Sequence, residues 1–237
     1  MINEAIILAG GLGTRLREHV PDVPKCMAPV AGKPFLSYVI DYFAAQGINS
    51  FIFALGYKSE MITDYLDQQY PGLEKKYSIE TELLGTGGAI KLACDKAVTD
   101  NLLVLNGDTI FKIDVQQFAS FHTATKADCS LTLKPMKNFD RYGAVVVNNE
   151  NRVTNFSEKQ FYPSGLINGG VYALNRSAFL KEQLPKKFSF EKDYLEALVA
   201  DRNMFGQVQN EYFIDIGIPA DYDQAQTDFA SSGTTGL

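Results

Sequence analysis

Apolar residues along this chain come in two patterns: short unbroken runs, and series that recur every three to four positions. Residues 5–9 are apolar and stop abruptly at Gly10, Gly11 and Gly13. Phe35, Tyr38, Val39, Tyr42 and Phe43 follow at helical spacing until Gly47. The string SFIFALGY at 50–57 reads as a buried strand, and Met61, Ile62, Tyr65 and Leu66 mark a second helix closed by Pro71-Gly72. Residues 76–80 alternate as a short strand, LLGTGGAIKLA leads into a third helix, and 102–105 form an apolar strand ending at Asn106-Gly107-Asp108. This alternation of strand and helix predicts an α/β fold, a Rossmann-like, mixed, mostly parallel sheet with helices on both faces. A helix is expected at 114–125, then strands at 129–133, 143–147, 152–156 and 166–174. A helical patch at 190–200, strands at 205–209 and 212–216, and a closing helix at 220–229 complete the reading. No internal repeat is present.

With 237 residues and 46% hydrophobic content, the chain can bury one sizeable core with a small appended lobe. No apolar run reaches bilayer-spanning length, and Met1-Ile2-Asn3-Glu4 lacks the basic start of a secretion signal. A cytoplasmic protein without membrane partners is expected. The net charge of −6, without a basic tract, argues against nucleic acid as a partner. Cys26, Cys94 and Cys129 are odd in number and far apart, which suits reduced thiols. His19 and His122 lack ligand-like spacing and are expected as ordinary surface or loop residues.

The strongest chemical signal lies at 5–25. Gly10, Gly11 and Gly13 allow close backbone approach, and successive amides in such a turn can form an anion-binding concavity. Arg15 follows the turn and Lys25 closes the segment, a fork-shaped and a point-like cation suited to a polyphosphate. The spacing is not that of a Walker-type loop, and Leu16 stands where the third glycine of GxGxxG belongs. In an open α/β sheet, ligands bind beyond the carboxyl ends of the strands. That rule brings residues 10–15, 80–88 and 106–108 to one edge. Gly85, Gly87 and Gly88 would there let backbone pass close to a flat base.

Gly10-Gly11-Leu12-Gly13-Thr14-Arg15-Leu16 with Pro24-Lys25 resembles the signature of sugar-1-phosphate nucleotidyltransferases, enzymes that join an NTP to a sugar 1-phosphate and release pyrophosphate. Cys26 departs from the family's usual proline, and packing in the loop is its expected role. The resemblance runs from residue 4 to about 229. It implies a fold of nucleotide-diphospho-sugar transferase type with a small sugar-binding lobe. The expected organisation is one domain over 1–229, with a nucleotide half at 1–112 and a sugar half at 113–229. A polar tail would follow at 230–237.

Joining two anionic phosphates requires Mg²⁺ and fixed cations. Magnesium takes one or two carboxylates and completes its shell with phosphate oxygens and water. Asp108 after an apolar strand and Asp215 in FIDIG match the family's metal-binding aspartates. By the same resemblance, Arg15 holds the leaving β- and γ-phosphates and Lys25 contacts the α-phosphate region. Leu8, Ala9, Gly10, Gly11, Gly13, Thr14, Glu80, Gly85 and Thr86 complete the expected nucleotide site. Gly107, Tyr142, Gly143, Asn168 and Gly170 are expected around the sugar phosphate, with Glu158 on sugar hydroxyls and Lys159 on the phosphate. Gln160 replaces a usual proline after that pair.

Glu80 occupies the position from which related enzymes read the base. Guanine offers two adjacent donors that a carboxylate accepts together, so Glu80 favours GTP, unless it only balances Lys76 or Lys91. PKCMAPVAGKPF, LLGTGGAI, LNGDT and YFIDIG are similar to D-glycero-α-D-manno-heptose-1-phosphate guanylyltransferases, which implies GDP-heptose for a bacterial surface glycan. Alternatives are a mannose-1-phosphate guanylyltransferase or a thymidylyl-, uridylyl- or cytidylyltransferase. A non-catalytic nucleotide-sugar sensor is the alternative of a different class. Oligomeric state is left open, a homo-oligomer included.

Overall fold

The computed structural model describes residues 2–11, 16, 20–157 and 160–231. Gly13, Thr14, Arg15, His19, Glu158 and Lys159 lie outside the described residues, as do 232–237 of the expected tail.

Strand β1 (Glu4–Leu8) lies at the centre of the nucleotide half. It pairs in parallel with β4 (Ser50–Leu55) on one side and β6 (Asn101–Asn106) on the other, and β5 (Glu74–Ile79) pairs in parallel with β4. Between them run a short ribbon of β2 (Pro29–Val30) and β3 (Lys33–Pro34), then α1 (Phe35–Ala45), α2 (Ser59–Gln69) and α3 (Gly85–Cys94). Strands β1, β4 and β6 are apolar without alternation because both faces are covered, whereas β5, at the sheet edge, is largely polar. Ala5 and Ile7 join one core with Phe51, Phe53, Leu103 and Leu105, while Ile6 joins the other with Ile52, Leu102 and Val104. Successive side chains of a strand point to opposite faces, so one run feeds two cores.

Past β6 come β7 (Thr109–Phe111), α4 (Val115–Thr125), β8 (Cys129–Phe139), β9 (Ala144–Val147), β10 (Val153–Ser157) and β11 (Tyr162–Asn175). Then follow α5 (Arg176–Leu180), a π-helical segment at Phe190–Glu196, β12 (Met204–Val208), β13 (Phe213–Asp215) and α6 (Pro219–Ser231). Strand β11 is antiparallel to β6, β8 and β9, while β12 runs parallel to β8. Strand β10 is antiparallel to β9. Seven strands of the nine-stranded sheet (β1, β4, β5, β6, β8, β9 and β12) therefore share one direction, with β10 and β11 against them. The expected mixed, mostly parallel sheet is the observed one. A small third core of Phe139, Ala144 and Ile167 packs under the far half.

Two expectations change. His122 is not a surface or loop residue. It is buried in α4, with its ring nitrogens 2.9 Å from Ser130 Oγ and 3.1 Å from Asn101 Oδ1. Gly87 and Gly88 do not make room for a base. A methyl on Gly87 would strike the Phe188 ring, and one on Gly88 would lie 2.5 Å from the Lys186 carbonyl oxygen. These glycines let α3 approach the 186–188 segment. No helix among the described residues is long and apolar enough to cross a membrane.

Candidate active site

Strand order reverses at β1, whose neighbours β4 and β6 lie on opposite sides, and such a switch point opens a crevice beyond the strand ends. A cavity of about 610 Å³ fills it. Leu8, Ala9, Gly10 and Gly11 enter from the end of β1, Lys25 and Cys26 from a 3₁₀ turn, and Ala54 from β4. Glu80, Leu83, Gly85 and Thr86 close the side beyond β5, and Asp108 lies past β6. Distant parts of the sequence thus converge as the glycine and strand-end patterns predicted.

Glu80 is held from both ends. Its N–H donates to Leu55 O at 2.9 Å, and its Oε2 accepts from the Leu84 N–H at 3.1 Å. A methyl on Gly56 would come within 2.5 Å of Oε1, so this glycine gives the carboxylate its place. Burial raises the Glu80 pKa, and the Leu84 N–H opposes that shift. Lys76 instead pairs with Glu4 at 3.5 Å, and no ion pair joins Glu80 to a cation among the described residues.

A second cavity of about 250 Å³ opens between β11, Phe156 of β10 and the ribbon of β7 and β13. Tyr142, Gly143, Asn168 and Gly170, read from the sequence as sugar-phosphate residues, line it together with Arg141, Phe213 and Asp215. Gly170 has φ +74°, and its N–H donates to Asn168 Oδ1 at 3.2 Å. The Asn168 amide in turn donates to Tyr172 OH at 2.7 Å. Arg141 pairs with Asp221 of α6 at 2.7 Å. Asn106 and Glu191 line both cavities, so the two abut there. Gly107 lines neither: its N–H donates to Leu8 O at 2.9 Å, and a methyl there would meet that oxygen at 2.8 Å.

The junction carries the charge. Asp108 precedes β7 and Asp215 ends β13, and antiparallel pairing of these strands sets Asp215 opposite Thr109. Lys25 bridges both carboxylates, pairing closely with Asp108 and at 3.2 Å with Asp215 Oδ1. Burial works against the charged Lys25, yet Asp108 and Asp215 outweigh it and raise its pKa. Burial likewise opposes the charged Asp108, but Lys25 holds its pKa below the ordinary value. At Asp215 burial and the neighbouring Asp108 both raise the pKa. One lysine thus balances only part of the charge of two facing carboxylates.

Among the described residues no group of three or more His, Cys, Asp or Glu side chains is placed to hold a metal. Two carboxylates, with phosphate oxygens and water, do match what Mg²⁺ takes. The pair fits a divalent cation. The Cys26 thiol is fully buried, 4.0 Å from Ala9 O, and burial pushes its pKa up to about 12. It packs the loop, as expected, and is no nucleophile.

Lys187, Glu191 and Arg141 escaped the sequence reading. Arg141 adjoins Tyr142-Gly143 and was one residue from detection. Lys187 and Glu191 sit in KKFSFEK, which has no clear period, and only the packing of 186–188 on α3 brings them to the cavity.

The nucleotidyl transferase family profile matches residues 4–232. Over 223 residues the chain is 50% identical to the D-glycero-alpha-D-manno-heptose 1-phosphate guanylyltransferase of Aneurinibacillus thermoaerophilus, covering 94% of this chain and 96% of that one. It is 45% identical over 219 residues to the Campylobacter jejuni protein of the same name, covering 92% and 96%. The crystal structure of HddC from Yersinia pseudotuberculosis complexed with GMP-PN superposes with a TM-score of 0.85 at 35% identity, covering 96% of this chain and 100% of that one. On the match of sequence, fold and site together, the chain belongs to the nucleotidyl transferase family.

Proposed function

We propose that this nucleotidyltransferase moves the guanylyl group of GTP onto a sugar 1-phosphate, with D-glycero-α-D-manno-heptose 1-phosphate as acceptor, and releases pyrophosphate. The observation that carries the reading is the abutment of two cavities, with Asp108 on one side of the junction and Asp215 on the other. A nucleotide with its base toward Glu80 and its phosphates toward Gly10, Gly11 and Lys25 brings its α-phosphorus to that junction. A phosphate oxygen of the sugar 1-phosphate attacks from the second cavity. The new bond joins that oxygen to the α-phosphorus, and the bond to the bridging oxygen breaks, its electron pair leaving with pyrophosphate. The attacker is already an oxyanion, so no protein nucleophile is required.

Lys25 neutralises charge at the α-phosphate and keeps the aspartates from repelling each other. By the resemblance, Arg15 holds the departing pyrophosphate, Lys159 the sugar phosphate and Glu158 the sugar hydroxyls. Asp108 and Asp215 would hold Mg²⁺, which supplies positive charge to offset the repulsion between the two phosphates. Guanine and heptose follow the names of the two guanylyltransferase relatives, and the GMP-PN complex of HddC supports the same nucleotide. Three buried free thiols suit a cytoplasmic setting.

Pyrophosphate release from GTP, ATP, UTP, dTTP and CTP, each with heptose, mannose and glucose 1-phosphates, tests the proposal. GTP with the heptose phosphate should give the highest kcat/KM. A pyrimidine preference would sink the guanylyl assignment, a mannose preference would replace the acceptor, and no release with any pair would remove the transferase reading.

A further inference from the structure

We infer that Glu191 reads ligand hydroxyls at the boundary between the two cavities, a specificity role that rests on the transferase reading above. Glu191 stands in the first turn of the π-helical segment Phe190–Glu196, a rare backbone form that recurs at functional sites. Its Oε2 accepts two hydrogen bonds, from Thr86 Oγ1 at 2.7 Å and from Ser189 Oγ at 2.9 Å. The direction of both is set by the carboxylate, which when ionised can only accept. Thr86 Oγ1 accepts from the Phe190 N–H at 2.9 Å, and Ser189 Oγ accepts from the Lys192 N–H at 3.2 Å. Each hydroxyl thus accepts from the backbone and gives its one proton to Oε2.

Oε1 has no protein hydrogen-bond partner among the described residues, and no ion pair there joins Glu191 to a cation. The result is a clamped carboxylate with one free acceptor oxygen on the wall of both cavities. Such an oxygen takes a donor and repels an anion, so phosphate oxygens are disfavoured beside it. Ligand hydroxyls are the fitting partners. They come from the sugar of the acceptor, or from the ribose of the nucleotide, where the two meet.

Steady-state kinetics of wild type, Glu191→Gln and Glu191→Ala decide the matter, with GTP, 2′-deoxy-GTP and 3′-deoxy-GTP against the heptose phosphate. Glutamine keeps an oxygen for Thr86 and Ser189 but puts a donor where Oε1 was. The sugar-phosphate KM should then rise roughly 10- to 100-fold, the span of a lost charge-assisted hydrogen bond, with thermal midpoint and GTP KM nearly unchanged. A rise confined to the GTP KM, and absent with a deoxy analogue, would also support hydroxyl reading and make ribose the source. Glu191→Ala also loses the clamp. It should show the same KM rise with a lower midpoint, and a lower midpoint without a KM rise would overturn the inference. An active wild type beside an indifferent Glu191→Gln would overturn this inference alone, as would equal losses with every substrate and analogue. A wild type inactive with every pair would remove the transferase reading first.

Discussion

Glu80→Gln should turn a guanine-reading pocket against guanine. In the structure the Leu84 N–H already engages one carboxylate oxygen at 3.1 Å, and Oε1 sits over Gly56. Glutamine therefore leaves its carbonyl oxygen with Leu84 and turns its NH₂ group toward the position where guanine presents N1–H and its exocyclic amine. Donor then faces donor. An unsatisfied buried donor costs about 1–3 kcal/mol, which amounts to a roughly 5- to 150-fold fall in kcat/KM for GTP. UTP and dTTP should lose less or gain, because an amide can donate to a pyrimidine carbonyl and accept from its N–H. The assay is pyrophosphate release with each NTP at a fixed, saturating sugar 1-phosphate, wild type beside variant. Burial raises the Glu80 pKa, so as pH falls wild type should lose its guanine acceptor, and with it GTP use, sooner than an ordinary carboxylate would. An equal, small change with every nucleotide would refute the reasoning and leave Glu80 a surface charge.

Gly56→Ala should reproduce part of that loss with little change in thermal midpoint, since the new methyl meets the movable end of Glu80 at 2.5 Å; normal GTP selectivity would show that Glu80 can shift without cost. Asp108→Asn and Asp215→Asn should each lower kcat at least about 100-fold with the circular dichroism spectrum retained, and EDTA should abolish wild-type turnover until Mg²⁺ is restored. Undiminished turnover in either variant would remove that residue from the site. Burial lowers the His122 pKa to about 4, against 6.5 ordinarily, with Asp128 opposing. The folded state then resists a proton that the unfolded chain accepts, so this stability is complete above pH 6.5 and is lost as pH falls toward 4. The loss amounts to about 3 kcal/mol. Urea unfolding of wild type and His122→Gln at pH 7 and 4.5 checks this, and an equal pH dependence in both would contradict it.

Strands β1, β4 and β6 were legible because unbroken apolar runs of four or five residues ending at glycine or asparagine need no tertiary context to be read. Helices α1 and α2 declared themselves by period, and Gly10, Gly11 and Lys25, singled out by residue type and spacing, line one cavity. Those signals are local, carried by backbone conformation and side-chain spacing within a few turns. The junction is not. Lys25 meets Asp215 across 190 residues only because β13 pairs with β7, a three-residue strand too short to leave a period. The Phe188 ring explains Gly87 and the Lys186 carbonyl explains Gly88, both of which a reading without packing assigned to the ligand. His122 looked like an ordinary polar residue until α4 turned it against Ser130 and Asn101. Glu191 lies in a segment without helical period, and its role emerges only where Thr86, Ser189 and two cavities meet it. Residue type and spacing set which elements form and which chemistry is on hand; which groups end up within 3 Å of one another depends on non-local pairing and close packing, and no stretch of sequence records that by itself.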